Sequence, residues 1–184
     1  MSKHSFTPFF VALIFALSTH AETINRIVFS ELVSEKGQQY VLNGAGVRTY
    51  MFVDVYAAGL YLIEKKANGF EILDSKTDKM IRMHYFREIS KKDLEKVWLI
   101  ALKENCKKDC ETFEKAFSQF TDAVIEVKPG TEITYIFNSD YLIVKNPEKA
   151  IKIEKSQLAE IVLSTWIGEK PPTSSLKRSL LGKK

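Results

Sequence analysis

In the first half of the chain, apolar and polar residues follow a spacing that predicts β-strands. They alternate from Ile24 to Val33, and again from Gln38 to Leu42 after the turn Ser34-Glu35-Lys36-Gly37. The stretch from Val47 to Ile63 is rich in β-branched, aromatic and small residues and contains no proline, which predicts one long strand. Neither face of this strand is simply polar, so we expect it to be central and covered on both sides. A further strand is expected from Met80 to Arg87.

In the second half, apolar residues recur every three or four positions, which is typical of helices. Ser90 and Asp93 form a capping pattern for a helix that ends near Cys106. The other predicted elements are a short helical segment from Ala67 to Asp74, a helix from Asp109 to Thr121, a hairpin from Glu132 to Lys145, a strand from Ala150 to Glu154, and helices from Ser156 to Gly168 and from Ser174 to Leu181. This order favours an α+β fold with an antiparallel sheet.

A glycine pair precedes the predicted long strand. Gly44 and Gly46 allow backbone angles that side chains forbid, so we expect the chain to reverse tightly there. Arg48 then lies at the mouth of the sheet, where its charge is either solvated or directed at an anion.

The N-terminus has the pattern of a secretory signal peptide. A weakly positive start precedes the apolar block from Phe9 to Leu17, and small residues end at Ala21. We therefore expect a signal peptide over residues 1–21, cleavage after Ala21, and one domain over 22–184 in the periplasm or outside the cell. No run in that domain approaches membrane-spanning length.

Charge and motifs exclude several function classes. Removing residues 1–21 loses one lysine and no acid, so the formal net charge falls from +4 to +3. No basic block marks a nucleic-acid surface. The sequence contains no phosphate loop and no nucleophile elbow, and we expect no cofactor.

Two cysteines, Cys106 and Cys110, leave two readings open. Four residues apart on a helix, their Cα atoms would lie about 6 Å apart, which permits either a disulfide or two free thiols. We do not expect a metal site, because Cys-x3-Cys supplies too few ligands and 22–184 contains a single histidine, His84.

Three segments together resemble the chalcone isomerase family, and more closely its bacterial, exported branch. They are Leu-Asn-Gly-Ala-Gly-Val-Arg at 42–48, Val-Tyr-Ala-Ala-Gly-Leu-Tyr-Leu at 55–62, and Thr-Trp-Ile-Gly at 165–168 followed by Leu-Lys-Arg-Ser-Leu at 176–180. The resemblance covers roughly residues 26 to 182. It implies an open-faced β-sandwich, in which a large antiparallel sheet carries a layer of helices on one face and a ligand cleft lies between them.

The resemblance also implies a set of site residues. In the plant enzymes of this family a phenolate closes a ring onto an unsaturated ketone, and an arginine after the glycines supplies positive charge; Arg48 matches that position. Asn105 and Thr165 match two further polar positions.

Three other positions depart from the pattern of the enzymes. Tyr56 stands where the enzymes have a threonine, and Trp98 and Ala101 stand where they have a tyrosine and a lysine. These changes remove a hydroxyl and a cation, which weakens a polar reaction site and leaves an apolar cleft with one charged end.

The leading hypothesis is therefore a non-catalytic binder of a small amphipathic carboxylate, such as a fatty acid. Arg48 would hold the acid group, and the cleft would be lined by Tyr56, Trp98, Asn105 and Thr165. Non-enzymatic members of the family bind fatty acids. The alternatives are an isomerase, an intramolecular lyase acting on a chalcone or another enone, and a structural or partner-binding envelope protein with a filled cleft.

Overall fold

The computed structural model describes residues 21–107, 110–154 and 156–183. The predicted signal peptide lies outside these residues, except for Ala21 at the start of the first strand. In the part of the chain that is described, no helix is long and apolar enough to cross a membrane.

A seven-stranded antiparallel sheet forms the centre of the molecule, and its strands are arranged in chain order. They are β3 (Leu32–Glu35), β4 (Gln38–Tyr50), β5 (Val53–Leu62), β6 (Lys79–Tyr85), β7 (Glu132–Phe137), β8 (Leu142–Lys145) and β9 (Ala150–Ile153). A separate hairpin consists of β1 (Ala21–Ile24) and β2 (Ile27–Ser30).

Five α-helices pack their apolar residues against one face of the sheet. They are α1 (Gly69–Asp74), α2 (Lys91–Asn105), α3 (Glu114–Asp122, preceded by a 3-10 turn at Cys110–Phe113), α4 (Ser156–Ile167) and α5 (Ser174–Leu180). The predicted start of α2 is confirmed, because the Ser90 side chain accepts a hydrogen bond from the backbone N–H of Asp93. The predicted architecture, an antiparallel sheet with helices on one face, is also confirmed.

The predicted glycine turn is wrong, and so is the single strand from Val47 to Ile63. β4 continues through the glycines, with a register shift between Leu42 and Gly44, and the chain reverses at Met51 and Phe52, where Tyr50 pairs with Val53. The glycines are needed for packing against α5. A Cβ on Gly44 would lie 2.1 Å from the carbonyl oxygen of Ser179, and one on Gly46 would lie 2.6 Å from the Ser179 Cβ.

The strand predicted from Ile24 to Val33 is divided into β1, β2 and β3. Its first break is a turn at Asn25 and Arg26, both of which have positive φ. The β1–β2 hairpin lies on the face of the sheet opposite the helices, where the Phe29 ring packs over Gly59; a Cβ at Gly59 would lie 2.7 Å from that ring. β5 is therefore central and covered on both sides, as its composition predicts.

Candidate ligand-binding cleft

A cleft of about 280 Å³ lies between the sheet and the helix layer. Its wall comes from β4, β5 and β6, from α2 and α4, and from the connection between α4 and α5. This volume is near the lower end of the usual range for ligand pockets, roughly 300–1,000 Å³. The aliphatic part of the wall consists of Val55, Met83, Ile89, Leu94, Val97, Ile100 and Ala101.

Arg48 lines this cleft from β4. It pairs with Tyr56 on β5, and its guanidinium carbon lies 5.8 Å from the centroid of the Tyr56 ring. The Nε atom is buried and finds no hydrogen-bond acceptor among the described residues. Because a buried donor without an acceptor costs about 1–3 kcal/mol, this position favours an anion that can accept from it.

Asp54, the nearest acid in the sequence, does not neutralise Arg48. The register shifts between Arg48 and Thr49, so Asp54 lies opposite Thr49. One Asp54 carboxylate oxygen accepts from Thr49 Oγ1 at 2.8 Å, and the other accepts from Asn25 Nδ2 at 2.9 Å. Both carboxylate oxygens of Asp54 therefore bind Thr49 and Asn25, not the guanidinium group of Arg48.

Tyr56 is buried on the helix side of the sheet. Its hydroxyl oxygen accepts a hydrogen bond from Trp166 Nε1 at 3.2 Å. Burial raises the pKa of Tyr56 to about 12, although the charge of Arg48 opposes the shift. The Tyr56 side chain is therefore a neutral phenol at neutral pH.

Trp98 contributes an aromatic surface to the cleft, and the hydroxyl of Thr165 is already hydrogen-bonded. The Trp98 ring lies edge-on to Trp166, with centroids 5.3 Å apart, and both rings line the cleft. The Thr165 hydroxyl donates to the carbonyl oxygen of Val162 at 2.7 Å, within its own helix.

Asn105 lies apart from the other four predicted residues. It occupies the last turn of α2, where its amide donates to the carbonyl oxygens of Ala101 at 2.9 Å and Lys170 at 3.4 Å. It lines a neighbouring depression between α1, α2 and α4. Four of the five predicted residues meet in the cleft, namely Arg48, Tyr56, Trp98 and Thr165.

Sequence reasoning missed Tyr85, which pairs with Tyr56 across β5 and β6 and lines the cleft. The two rings are 5.6 Å apart, and burial raises the pKa of Tyr85 as well. The alternation of Met83 and Tyr85 along β6 is the signal that would have placed both on the helix side.

Two further charged residues of the cleft wall were missed as well. Glu104 of α2 and Lys170 of the α4–α5 connection line the cleft, together with Pro171 and Pro172. Nothing in the local sequence indicates that this connection folds back against α2, because the contact joins residues more than 60 positions apart.

The two cysteines are joined by a disulfide just beyond α2. The Cα atoms of Cys106 and Cys110 are 5.9 Å apart. The same segment is linked to the end of α4 by an ion pair, in which Lys107 Nζ lies 2.6 Å from Glu169 Oε1. Within residues 21–107, 110–154 and 156–183, no group of three or more metal-binding side chains comes together.

A family model described as chalcone isomerase-like matches residues 21–182. This chain belongs to the chalcone isomerase-like family. Among curated proteins it is 28% identical to chalcone–flavanone isomerases 2-B and 1B-1 of Glycine max, over 86% of this chain and 87% of each relative. Among solved structures it shares the fold of a fatty-acid binding protein of Arabidopsis thaliana, with a TM-score of 0.72, 14% identity, and coverage of 88% of this chain and 96% of that one.

In this chalcone isomerase-like chain, the Leu42–Arg48 segment combines three structural roles. The buried Asn43 amide donates to the carbonyl oxygen of Leu180 at 2.8 Å, and its oxygen accepts from the backbone N–H of Lys66 at 2.8 Å. Gly44 and Gly46 let α5 approach the strand. The segment thus anchors α5 on β4 and places Arg48 at the cleft.

Proposed function

We propose that this protein binds a small amphipathic carboxylate, such as a fatty acid, without catalysing a reaction on it. The observation that carries the proposal is the buried Arg48 Nε, which has no acceptor among the described residues. Arg48 borders a cleft whose wall is largely aliphatic and aromatic. A carboxylate presents two coplanar oxygens that match a guanidinium group, and the apolar wall suits an alkyl tail. The name of the Arabidopsis protein with the same fold, a fatty-acid binding protein, supports this proposal.

Two hydroxyl groups of the cleft, those of Tyr56 and Thr165, support binding over acid–base catalysis. Tyr56 is held neutral by burial and already accepts a hydrogen bond from Trp166. The Thr165 hydroxyl is bonded within α4. Neither group is a base at neutral pH, since a general base works best with a pKa near the working pH.

The test is the affinity of purified 22–184 for laurate and for dodecanol, which has the same tail without the charge, measured by calorimetry. Arg48→Ala removes a charge-assisted contact worth about 1.5–3 kcal/mol, so laurate affinity should fall roughly 10- to 150-fold. Dodecanol affinity should change little.

Arg82→Ala is the matched control for this change. Arg82 lies on the opposite face of the sheet, where its guanidinium nitrogen Nη2 is 4.0 Å from Glu132 Oε2. It removes the same charge outside the cleft, and we expect unchanged laurate affinity. Equal effects of the two substitutions, or no effect of Arg48→Ala, would contradict the assignment of Arg48.

A second candidate is an isomerase, favoured by the two Glycine max relatives. Arg48 would then stabilise an enolate as its negative charge develops. Following chalcone absorbance with and without protein distinguishes the two functions. The binder predicts a ring-closure rate equal to the blank, whereas an isomerase predicts a faster rate that Arg48→Ala reduces.

We also propose that the protein is exported. The N-terminal pattern of residues 1–21 supports this, and so does the Cys106–Cys110 disulfide, because such bonds persist mainly in oxidising compartments. Sequencing the N-terminus of protein from a periplasmic extract should yield Glu22. A chain that retains Met1 in the cytoplasmic fraction would contradict export.

A further inference from the structure

The turn between β4 and β5 exposes large apolar side chains. Phe52 is fully exposed, at 102%, and Met51 and Tyr50 are 75% and 62% exposed. Val53, which pairs with Tyr50, completes what we call the hairpin tip, Tyr50–Val53. Apolar exposure concentrated in four consecutive residues is unfavourable in water and indicates a contact with another surface.

The backbone conformation of the hairpin tip does not account for the large apolar residues found there. Met51 and Phe52 have φ of 45° and 68°, the positive pair of a type I′ turn, which favours Asn–Gly. The other two-residue turns with two positive φ values each contain a suited residue, Asn25 in one and Gly37 in the other. The tip therefore carries bulky apolar residues where conformation favours small or polar ones.

The hairpin tip adjoins the ligand cleft. Tyr50 is two positions from Arg48 along β4, and Val53 is two positions from Val55 along β5; Arg48 and Val55 both line the cleft. Two other exposed apolar residues, Val97 and Ile100 on α2, line it as well. Exposed apolar side chains thus lie on three of the elements that border the cleft, β4, β5 and α2.

Exposed arginines flank the hairpin tip. Arg87 Nε donates to the backbone carbonyl of Asp54 at 3.3 Å. Arg26 follows Asn25, whose amide donates to the Asp54 carboxylate at 2.9 Å. Both arginines are exposed, and together with Arg48 they outnumber the acids beside them in the sequence, Asp54 and Glu88. An apolar projection beside guanidinium groups complements anionic lipid phosphates.

We propose that the hairpin tip inserts into the surface of an anionic lipid bilayer, so that the carboxylate ligand enters and leaves the cleft at the membrane. The insertion is inferred from the exposed residues of the hairpin tip alone, whereas the transfer of ligand rests on the proposed function. A bilayer fits better than a protein partner, because a stable protein interface buries about 800 Å² on each side and a two-residue turn is a narrow projection. A bilayer accepts such a projection without a matching groove.

The test is co-sedimentation of purified 22–184 with vesicles of phosphatidylcholine, alone or mixed with phosphatidylglycerol. We expect binding to the mixed vesicles and weaker binding to the neutral ones. The double variant Met51→Asn, Phe52→Gly keeps the turn with favoured residues, and its partition coefficient should fall at least about tenfold. Its thermal unfolding midpoint, measured alongside, should not fall, which separates loss of insertion from misfolding.

Phe70→Ser is the matched control. Phe70 is an exposed aromatic, at 61%, that follows the opposite end of β5 from the hairpin tip. The Phe70→Ser variant should bind both kinds of vesicle as the wild-type protein does. The inference is overturned if wild-type protein binds neither vesicle, or if the tip variant binds as well as the wild type.

Calorimetry without vesicles separates this inference from the proposed function. The tip variant should keep wild-type laurate affinity but take up laurate from mixed vesicles at least about tenfold more slowly. If Arg48→Ala retains laurate affinity while the tip variant loses vesicle binding, the proposed function fails and the insertion stands. If the tip variant takes up laurate from vesicles at the wild-type rate, transfer through the tip is overturned.

Discussion

The two ends of the β4–β5 hairpin use glycine and bulky residues in opposite ways. At the end that carries α5, Gly44 has an ordinary strand backbone, but Ser179 leaves no room for a Cβ. At the other end, Met51 and Phe52 have the backbone that favours glycine, and their side chains are exposed to solvent. The comparison shows that Gly44 is required for close packing, whereas Met51 and Phe52 are not the residues that the backbone of their turn favours. Arg48 and Tyr56 lie between the two ends and line the cleft.

The largest loss of stability should come from a side chain added at Gly44, where β4 and α5 are in close contact. In Gly44→Ala, the added Cβ would meet backbone atoms at 2.1 Å and 2.9 Å, which cannot move without shifting α5. We expect a loss of about 3 kcal/mol or more in the free energy of unfolding, measured by urea denaturation.

Gly130→Ala is the control for that change. Gly130 has a φ of +92° with nothing within 4 Å of an added Cβ, so its cost is limited to backbone strain of about 1–2 kcal/mol. Equal losses for the two variants would show that backbone freedom, and not the approach of α5, explains Gly44.

A smaller effect is expected midway along the hairpin. Tyr56→Phe leaves the buried Trp166 Nε1 donor without its acceptor, which should cost about 1–3 kcal/mol of unfolding free energy at pH 7. The ring packing is retained, so the circular dichroism spectrum should be unchanged. A variant as stable as the wild type would show that this hydrogen bond contributes nothing net.

The pH dependence of that difference follows from the pKa of Tyr56. Burial raises the pKa from 10.0 in the unfolded chain to about 12 in the fold. Because the folded state holds the phenol proton more tightly than the unfolded chain, the contribution of Tyr56 to the free energy of unfolding is complete below pH 10 and is lost as pH rises towards 12. The stability gap between wild type and Tyr56→Phe should therefore narrow from pH 10 to 12, in urea titrations at stepped pH. A gap that widens over this range would contradict the raised pKa.

The smallest effect, and the only gain, is expected at the tip. Met51→Asn with Phe52→Gly places favoured residues at two positive-φ positions, so the free energy of unfolding should rise by about 1 kcal/mol. Thermal denaturation would detect this as a higher midpoint. A lower midpoint would show that the exposed side chains stabilise the isolated fold, which would remove the contrast between the two ends.

Most elements could be predicted because their signals are local. The capping of α2 by Ser90 needs only neighbouring residues, and the β7–β8 hairpin follows from a short polar turn between apolar strands. The reversal at Met51 and Phe52 was missed because neither residue is a typical turn former. The glycines were misread because packing against α5 joins positions about 135 residues apart.

The candidate site divides in the same way. Arg48, Trp98 and Thr165 were identified as the positions that correspond to site residues of the family, and all three line the cleft. Tyr85 depended on the pairing of β6 with β5, and Lys170 on the path of the α4–α5 connection. Asn105 lines the neighbouring depression instead, and its amide donates to a backbone carbonyl of its own helix, which its position in the sequence does not indicate.

The amino-acid sequence by itself determined the alternation of strands and helices, the cap of α2, and an arginine next to an apolar strand, because these depend on the spacing and chemistry of near neighbours. Only the tertiary structure decided that Gly44 and Gly46 lie beneath α5, that Asp54 turns away from Arg48, and that Met51 and Phe52 project beside the cleft. Each of these depends on which distant segments come together, since steric room and hydrogen-bond partners are properties of the packed chain.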